Sequence, residues 1–291
     1  MPTRTGDFPI GFRLGGGAWQ RDIGALAQWA KENGFEGIDL GGITAENAQA
    51  LAGAGLKLGT VDLDTSGLLD ADAGKRKEAV ARSVASVQAA TALGAKYFFL
   101  VVRPDPAMKR SEAHDLAVES FSPIAGALET QNASLAIEGW PGGSPHLPSL
   151  CCTPESCRRF FADIGGKGVG LNYDPSHLIR MGIDHVRFLK EFLPYVRHVH
   201  GKDTELLSEA VYEYGLYQPA VFEKPHGWGE HVWRYTIPGH GCARWTEILH
   251  LLKVNGFEGM VSIELEDENF NGSEAGEKAG LLHSLRFLQS V

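Results

Sequence analysis

The chain has 291 residues, 43% of them hydrophobic and 22% charged, with a net charge of −9. That length supports one sizeable core. The acidic balance argues against a protein that grips a phosphate backbone, whose affinity would rest on a basic face. The longest apolar run, YFFLVV at 97–102, is far too short to span a bilayer, and the stretch MPTRTGDFPIGFRL holds no apolar segment of signal-peptide length. A cytoplasmic protein without membrane contact is therefore expected.

Short apolar, β-branched runs alternate with longer amphipathic ones along the chain. Strands are predicted at 9–14, 36–40, 57–63, 95–102, 133–138, 168–174, 195–200 and 259–265. Helices are predicted at 20–33, 44–53, 74–93, 111–130, 154–164, 184–193, 243–254 and 274–289. The pentapeptide NGFEG occurs at 33–37 and again at 255–259, each time closing a helix and opening a strand. In the helix at 74–93, Val80, Val84, Val87 and Leu93 recur at helical spacing, and Gly94 ends it. At 153 and 154, Thr153 and Pro154 read as a cap and first helical residue.

Eight strands, each followed by a helix or long loop, imply parallel neighbours joined by crossovers. Eight such units in this length predict an α/β fold, a closed (β/α)8 TIM barrel forming one domain over 1–291. The competing doubly wound sheet lacks its signature, because RLGGGAWQ at 13–20 has the wrong glycine spacing. Cys151, Cys152, Cys157 and Cys242 contain no Cys-x-x-Cys pair, which argues against a thiolate zinc site. The segment 204–235, after the seventh strand, is much longer than a usual βα loop and rich in aromatics. It is expected to be a lid at the barrel mouth, an oligomer contact, or both.

The chemistry of such a barrel sits at the carboxyl ends of its strands. SLAIE ends on Glu138, GLNYD on Asp174, VRHVH on His200, and MVSIELED carries Glu264 near its end. A lone acidic residue after a strand is usually a helix cap, and Asp174 before Pro175 fits that role as well as a ligand's. Four such ends on successive strands point to a shared site. Three carboxylates and one imidazole suit Mn²⁺, Mg²⁺ or Co²⁺, with Zn²⁺ possible.

The segments AIEGWPG, LNYDPSHL, VRHVHGKD, IPGHG and GMVSIELED resemble the sugar phosphate isomerase/epimerase group with the xylose isomerase-like TIM barrel. The resemblance implies that Glu138, Asp174, His200 and Glu264 bind one divalent metal, with Mn²⁺ the first choice. It implies that Glu138 and Glu264 flank the substrate as catalytic groups and that His177 contacts a substrate hydroxyl. Lys202 either orients the substrate or pairs with Asp203. Trp140 and Trp19 lie beside strand ends and are weaker candidates for stacking on a sugar ring. Arg234 is a candidate contact to an anionic or hydroxyl-rich substrate, with a surface role as its default.

The expected function is a metal-dependent isomerase or epimerase of carbohydrate metabolism. It would abstract a proton next to the carbonyl of a ketose or keto-polyol through a stabilised enediolate. A dehydratase or lyase acting on a keto-sugar or inosose is the alternative, and an inactive binding barrel the third reading. The expected partner is a small sugar or polyol, with the chain forming a dimer or tetramer. Endonuclease IV-type repair enzymes of the same superfamily use three zinc ions and need histidines at the third and fourth strand ends. Those ends read TVDLD and LVVRP, which argues against a nuclease.

Overall fold

The computed structural model describes residues 1–143 and 149–291. Its central strands are β1 (Ile10–Arg13), β2 (Gly37–Leu40), β3 (Lys57–Asp62), β4 (Tyr97–Val101), β5 (Ser134–Glu138), β6 (Leu171–Tyr173), β7 (Val196–Gly201) and β10 (Val261–Ile263). They close into a parallel barrel in the order β1-β10-β7-β6-β5-β4-β3-β2, the expected (β/α)8 architecture. Around it run α1 (Ile23–Glu32), α2 (Ala45–Ala54), α3 (Ala73–Ala92), α4 (Arg110–Glu129), α5 (Pro154–Ile164), α7 (His185–Phe192), α9 (Trp245–Val254) and α10 (Glu274–Ser290). No helix among the described residues is long and apolar enough to cross a membrane.

Local chemistry sets the boundaries. Asp22, Thr44, Asp72, Thr153, Asp184 and Ser273 each cap a helix through a side-chain oxygen. Both NGFEG copies fold alike. Asn33 and Asn255 end their helices and donate back to the carbonyls of Trp29 and Leu251 at 2.8 and 2.9 Å, and Gly34 and Gly256 take left-handed φ. At the amino-terminal end of the barrel, Gly11, Gly37 and Gly59 on β1, β2 and β3 leave room for one buried side chain, Met260. A Cβ on any of the three would stand 2.5 Å from the Met260 sulfur or terminal methyl.

The structure departs from the predicted elements in four places. The strand expected at 168–174 is confined to β6, although the Gly168 and Gly170 carbonyls still accept from the Leu135 and Ile137 amides of β5 at 2.9 and 3.0 Å. β10 stops at Ile263, so Glu264 stands one residue beyond the barrel. A short helix, α6 (Pro175–Arg180), follows β6 at once, with Asp174 as its N-cap. The long segment after β7 carries its own ribbon: β8 (Asp203–Leu206) pairs antiparallel with β9 (Trp233–Thr236), with α8 (Ser208–Tyr214) between them.

Asp203 anchors this ribbon. Its two carboxylate oxygens accept from the amides of Thr204, Ala243 and Gly239 at 2.8, 2.8 and 3.1 Å and from the Trp245 indole at 3.2 Å. It makes no pair with Lys202, which settles one of the two readings of that lysine. Asp203→Ala leaves buried donors unpaired and is expected to lower stability by about 3 kcal/mol. Thermal unfolding checks this, with a midpoint several degrees below the parent.

Candidate active site

The register of the barrel brings four strand ends together. Val101 on β4 pairs with Glu138, Glu138 with Asn172 on β6, Asn172 with His198 on β7, and Ser262 on β10 with His200. Inward positions of β5, β6, β7 and β10 therefore open onto one space. One donor atom each from Glu138, Asp174, His200 and Glu264 lies within 4.8 Å of the others. His200 Nδ1 is 2.7 Å from Glu138 Oε2 and 3.4 Å from Glu264 Oε2. Asp174 serves twice: its Oδ1 accepts from the Ser176 amide at 2.8 Å as a helix cap, while Oδ2 stands with the cluster.

Neighbouring charges hold this group in place. Lys202 is buried, bonds to Glu264, and lies 3.0 Å from Glu266 and 3.3 Å from Asp174. Arg13, at the end of β1, forks onto Asp62 at 2.8 and 2.9 Å and approaches Glu264 at 3.4 Å, with its guanidinium 4.2 Å above the Phe99 ring. Asn172 donates to Glu138 Oε2 at 2.7 Å. His177 contacts Glu138 Oε1 through Nε2 at 3.2 Å and the Tyr235 hydroxyl through Nδ1 at 2.7 Å. Deeper in the barrel, Asp39 binds His198 Nε2 at 2.9 Å and accepts from the Thr60 amide at 2.8 Å.

Burial disfavours charge on every one of these groups, and the balance is decided by partners. It would lower Lys202, but Glu264, Glu266 and Asp174 hold the ammonium well above its usual range. It would lower His200 too, yet Glu264 and Glu138 push the imidazole up to about 10. Burial raises Glu264, and Lys202 and His200 overcome it, keeping the carboxylate far below its ordinary range. Glu138 falls as well, against burial and the charge of Glu264, through His200 and His177. Burial moves Glu266 up, opposed by Lys202 and reinforced by Glu264.

The donor set fits a divalent cation. Glu138, Asp174, Glu264 and Glu266 face two bases, Lys202 and His200, leaving two negative charges in excess when all are ionised. Asp174 Oδ2 and both ring nitrogens of His200 are buried without an aligned hydrogen bond among the described residues. Buried polar atoms normally find partners, and a cation among Glu138, Asp174, Glu264 and a neutral His200 would provide one for Asp174 Oδ2 and His200 Nδ1, while His200 Nε2 faces Asp39 at 3.8 Å. The oxygen-rich set matches the preference of Mg²⁺ and Mn²⁺.

Not every candidate joins the cluster. Trp140 lines a cavity of about 300 Å³ beside Glu138 and Glu264, with Arg103 5.5 Å from its ring. Trp19 sits in a separate, larger cavity, where its indole donates to Glu277 at 2.6 Å. Arg234 pairs with Glu205 and Glu268 at 2.7 and 2.9 Å, on the face of β9 opposite Tyr235, which agrees with the surface role taken as its default. The aromatics of 204–235 also divide. Trp233 and Tyr235 are buried, whereas Tyr212, Tyr217 and Phe222 are exposed. Arg13, Asp39, Asp62, Phe99 and Asn172 are not among the residues the sequence pattern marks, whereas Tyr235 is one of the aromatics of 204–235. The signals of those five were faint, though Arg13 and Asp62 do end strands.

A closed eight-stranded parallel barrel with histidines and carboxylates gathered at its carboxyl rim defines a (β/α)8 protein whose donor set has room for a divalent cation. More particularly, the Xylose isomerase-like TIM barrel family model matches residues 27–291, and the chain belongs to that family. The uncharacterized protein YfiH of Bacillus subtilis (strain 168) is 35% identical over 120 residues, 40% of this chain and 37% of that protein. Inosose dehydratase of Geobacillus thermodenitrificans (strain NG80-2) is 28% identical over 125 residues, 42% of this chain and 39% of that one. These matches span about two fifths of each relative's length. The crystal structure of D-psicose 3-epimerase in the presence of D-fructose shares the fold, with a TM-score of 0.69 at 16% identity, covering 96% of this chain and 97% of the other.

Binding of a cation to the native cluster alone is expected to raise stability. At a hundredfold excess over Kd the gain is about 2.7 kcal/mol. Thermal unfolding with and without Mn²⁺ or Mg²⁺ measures it, and Asp174→Ala should abolish the metal-induced increment.

Proposed function

We propose that this chain is a divalent-metal-dependent isomerase or epimerase that removes a proton next to the carbonyl of a ketose or keto-polyol. The observation that carries this reading is the convergence of Glu138 and Glu264 on Nδ1 of His200, beside a cavity that both line. Held by Glu138, Asp174, His200 and Glu264, a divalent ion, with Mn²⁺ our first choice, supplies Lewis acidity to the oxygens flanking the labile C–H.

The chain's own groups do the rest. Glu138 and Glu264 are kept deprotonated by their cationic neighbours, so each offers a free carboxylate oxygen to the substrate proton, at reduced basicity. One takes the proton. That carboxyl returns it to the adjoining carbon, giving an isomer, or the second glutamate, after taking up a proton from water, delivers it to the opposite face, giving an epimer. Lys202 steadies Glu264 and places positive charge beside the developing oxyanion. Phe99 and Trp140 line the same cavity and provide apolar surface for a sugar ring.

A second reading, loss of a β-hydroxyl from the same enediolate, has one observation in its favour. Departure of hydroxide calls for a proton donor near the base, and His177 stands between Glu138 and the Tyr235 hydroxyl. The inosose dehydratase relative points the same way.

Incubating the protein with a panel of ketoses and inososes in D₂O with Mn²⁺ tests both. Deuterium entering at one carbon without loss of water supports the isomerase or epimerase, and loss of water supports the lyase. No exchange with any compound overturns the proposal. Glu264→Gln is expected to slow exchange about 10²- to 10⁴-fold, read by NMR.

A further inference from the structure

Two cavities open at the carboxyl rim. The one of about 300 Å³ lies over β3–β5 and is lined by Phe99, Arg103, Glu138, Trp140 and Lys202. The other, about 600 Å³, lies over β1 and β10, between the loop 14–20, the start of α10 and Trp228. Glu264 and Glu266 line both, so the proposed base stands at the junction of two lobes. We infer that the substrate has two parts: a keto-sugar ring in the smaller lobe and a neutral sugar or polyol, joined to it by a glycosidic bond, in the larger. This inference rests on the enolising function proposed above.

The larger lobe is more than spare volume. Trp228 is 47% exposed and adopts a φ of 58°, a left-handed conformation that is unfavourable for a bulky side chain. Such backbone persists only where its surroundings dictate it, and it collects at ligand sites. Here the surroundings are plain. Glu268 accepts from the Gly227 amide at 2.9 Å and contacts His226 Nδ1 and Arg234 Nη1, each at 2.9 Å. The Tyr235 amide donates to the Trp228 carbonyl at 2.9 Å. Glu268 and the Tyr235 amide thus clamp the turn that presents this indole to the lobe, with Arg234 holding Glu268 in place. Trp19, on the same cavity, is fixed through Glu277 and packs edge-on against Trp29 at 5.0 Å. Aromatic rings beside polar walls suit the apolar faces and hydroxyl edges of a sugar.

Charge narrows the class. The lobe carries Glu264, Glu266, Glu274 and Glu277, and Arg13, its one lining cation among the described residues, is engaged by Asp62 and Glu264. A phosphate or carboxylate on the second part would be repelled. A neutral one would not.

The test compares 3-keto-glucose, its methyl glycoside and 3-keto-cellobiose with the ketone on the non-reducing ring. Deuterium incorporation from D₂O is followed with Mn²⁺ present, for the parent and for Trp228→Ala. We expect kcat/KM on the disaccharide to exceed that on 3-keto-glucose by roughly fivefold or more, and Trp228→Ala to erase that preference through KM. Trp228→Gly, which suits the positive φ, should do the same and excludes an effect of misfolding. Equal rates on free and glycosylated compounds, or a preference that survives both variants, overturn the two-part substrate and leave enolisation standing. Absence of exchange into all three, and into the earlier panel, overturns enolisation and this inference with it.

Discussion

Buried like charge is the constraint around which this molecule is arranged. Four carboxylates converge at one end of a low-dielectric barrel, where unpaired charges would be untenable. Lys202 and His200 answer them directly, and Arg13 answers Asp62 and Glu264 on the adjoining wall. The remaining imbalance is what suits the rim to a cation, as proposed above, rather than to a stabilising salt-bridge network. Buried ion pairs seldom add stability over apolar packing, so the arrangement is best understood as serving chemistry.

The ribbon after β7 completes what the barrel begins. Its inner face sets Thr204 against the Ser176 carbonyl at 2.9 Å and Tyr235 against His177, tying the roof to α6 and thus to Asp174. Its outer face holds Arg234 between Glu205 and Glu268. One strand, through simple alternation of side chains, serves both the site and the turn that carries Trp228.

Much of this was legible in the sequence, and the physical reasons are specific. Continuous apolar runs such as YFFLVV mark strands buried on both faces, and amphipathic stretches between them mark crossover helices, so the barrel followed from pattern alone. Glu138, Asp174, His200 and Glu264 were visible because each ends a strand, or nearly so. Arg13 and Asp62 also end strands, yet their meaning lies in each other, 49 positions apart. Asp39 and His198 are joined across the barrel at a separation of 159 positions, a contact no local pattern encodes. The ribbon was missed because its strands are only four residues long and 26 residues apart. The pairing of Arg234 is hidden for a related reason: its partners Glu205 and Glu268 meet only once that ribbon has formed.

The floor of the barrel is built on an unequal exchange. Three adjacent strands give up side chains at Gly11, Gly37 and Gly59, and a single flexible thioether from Met260 fills the vacated space. Packing there is concentrated in one residue instead of shared among four. A larger residue at any of the glycines meets Met260 and a second obstacle beside it, the Gly37 carbonyl, the Lys57 carbonyl or the Asp39 carboxylate, and a smaller residue at 260 opens a void beneath all three strands at once.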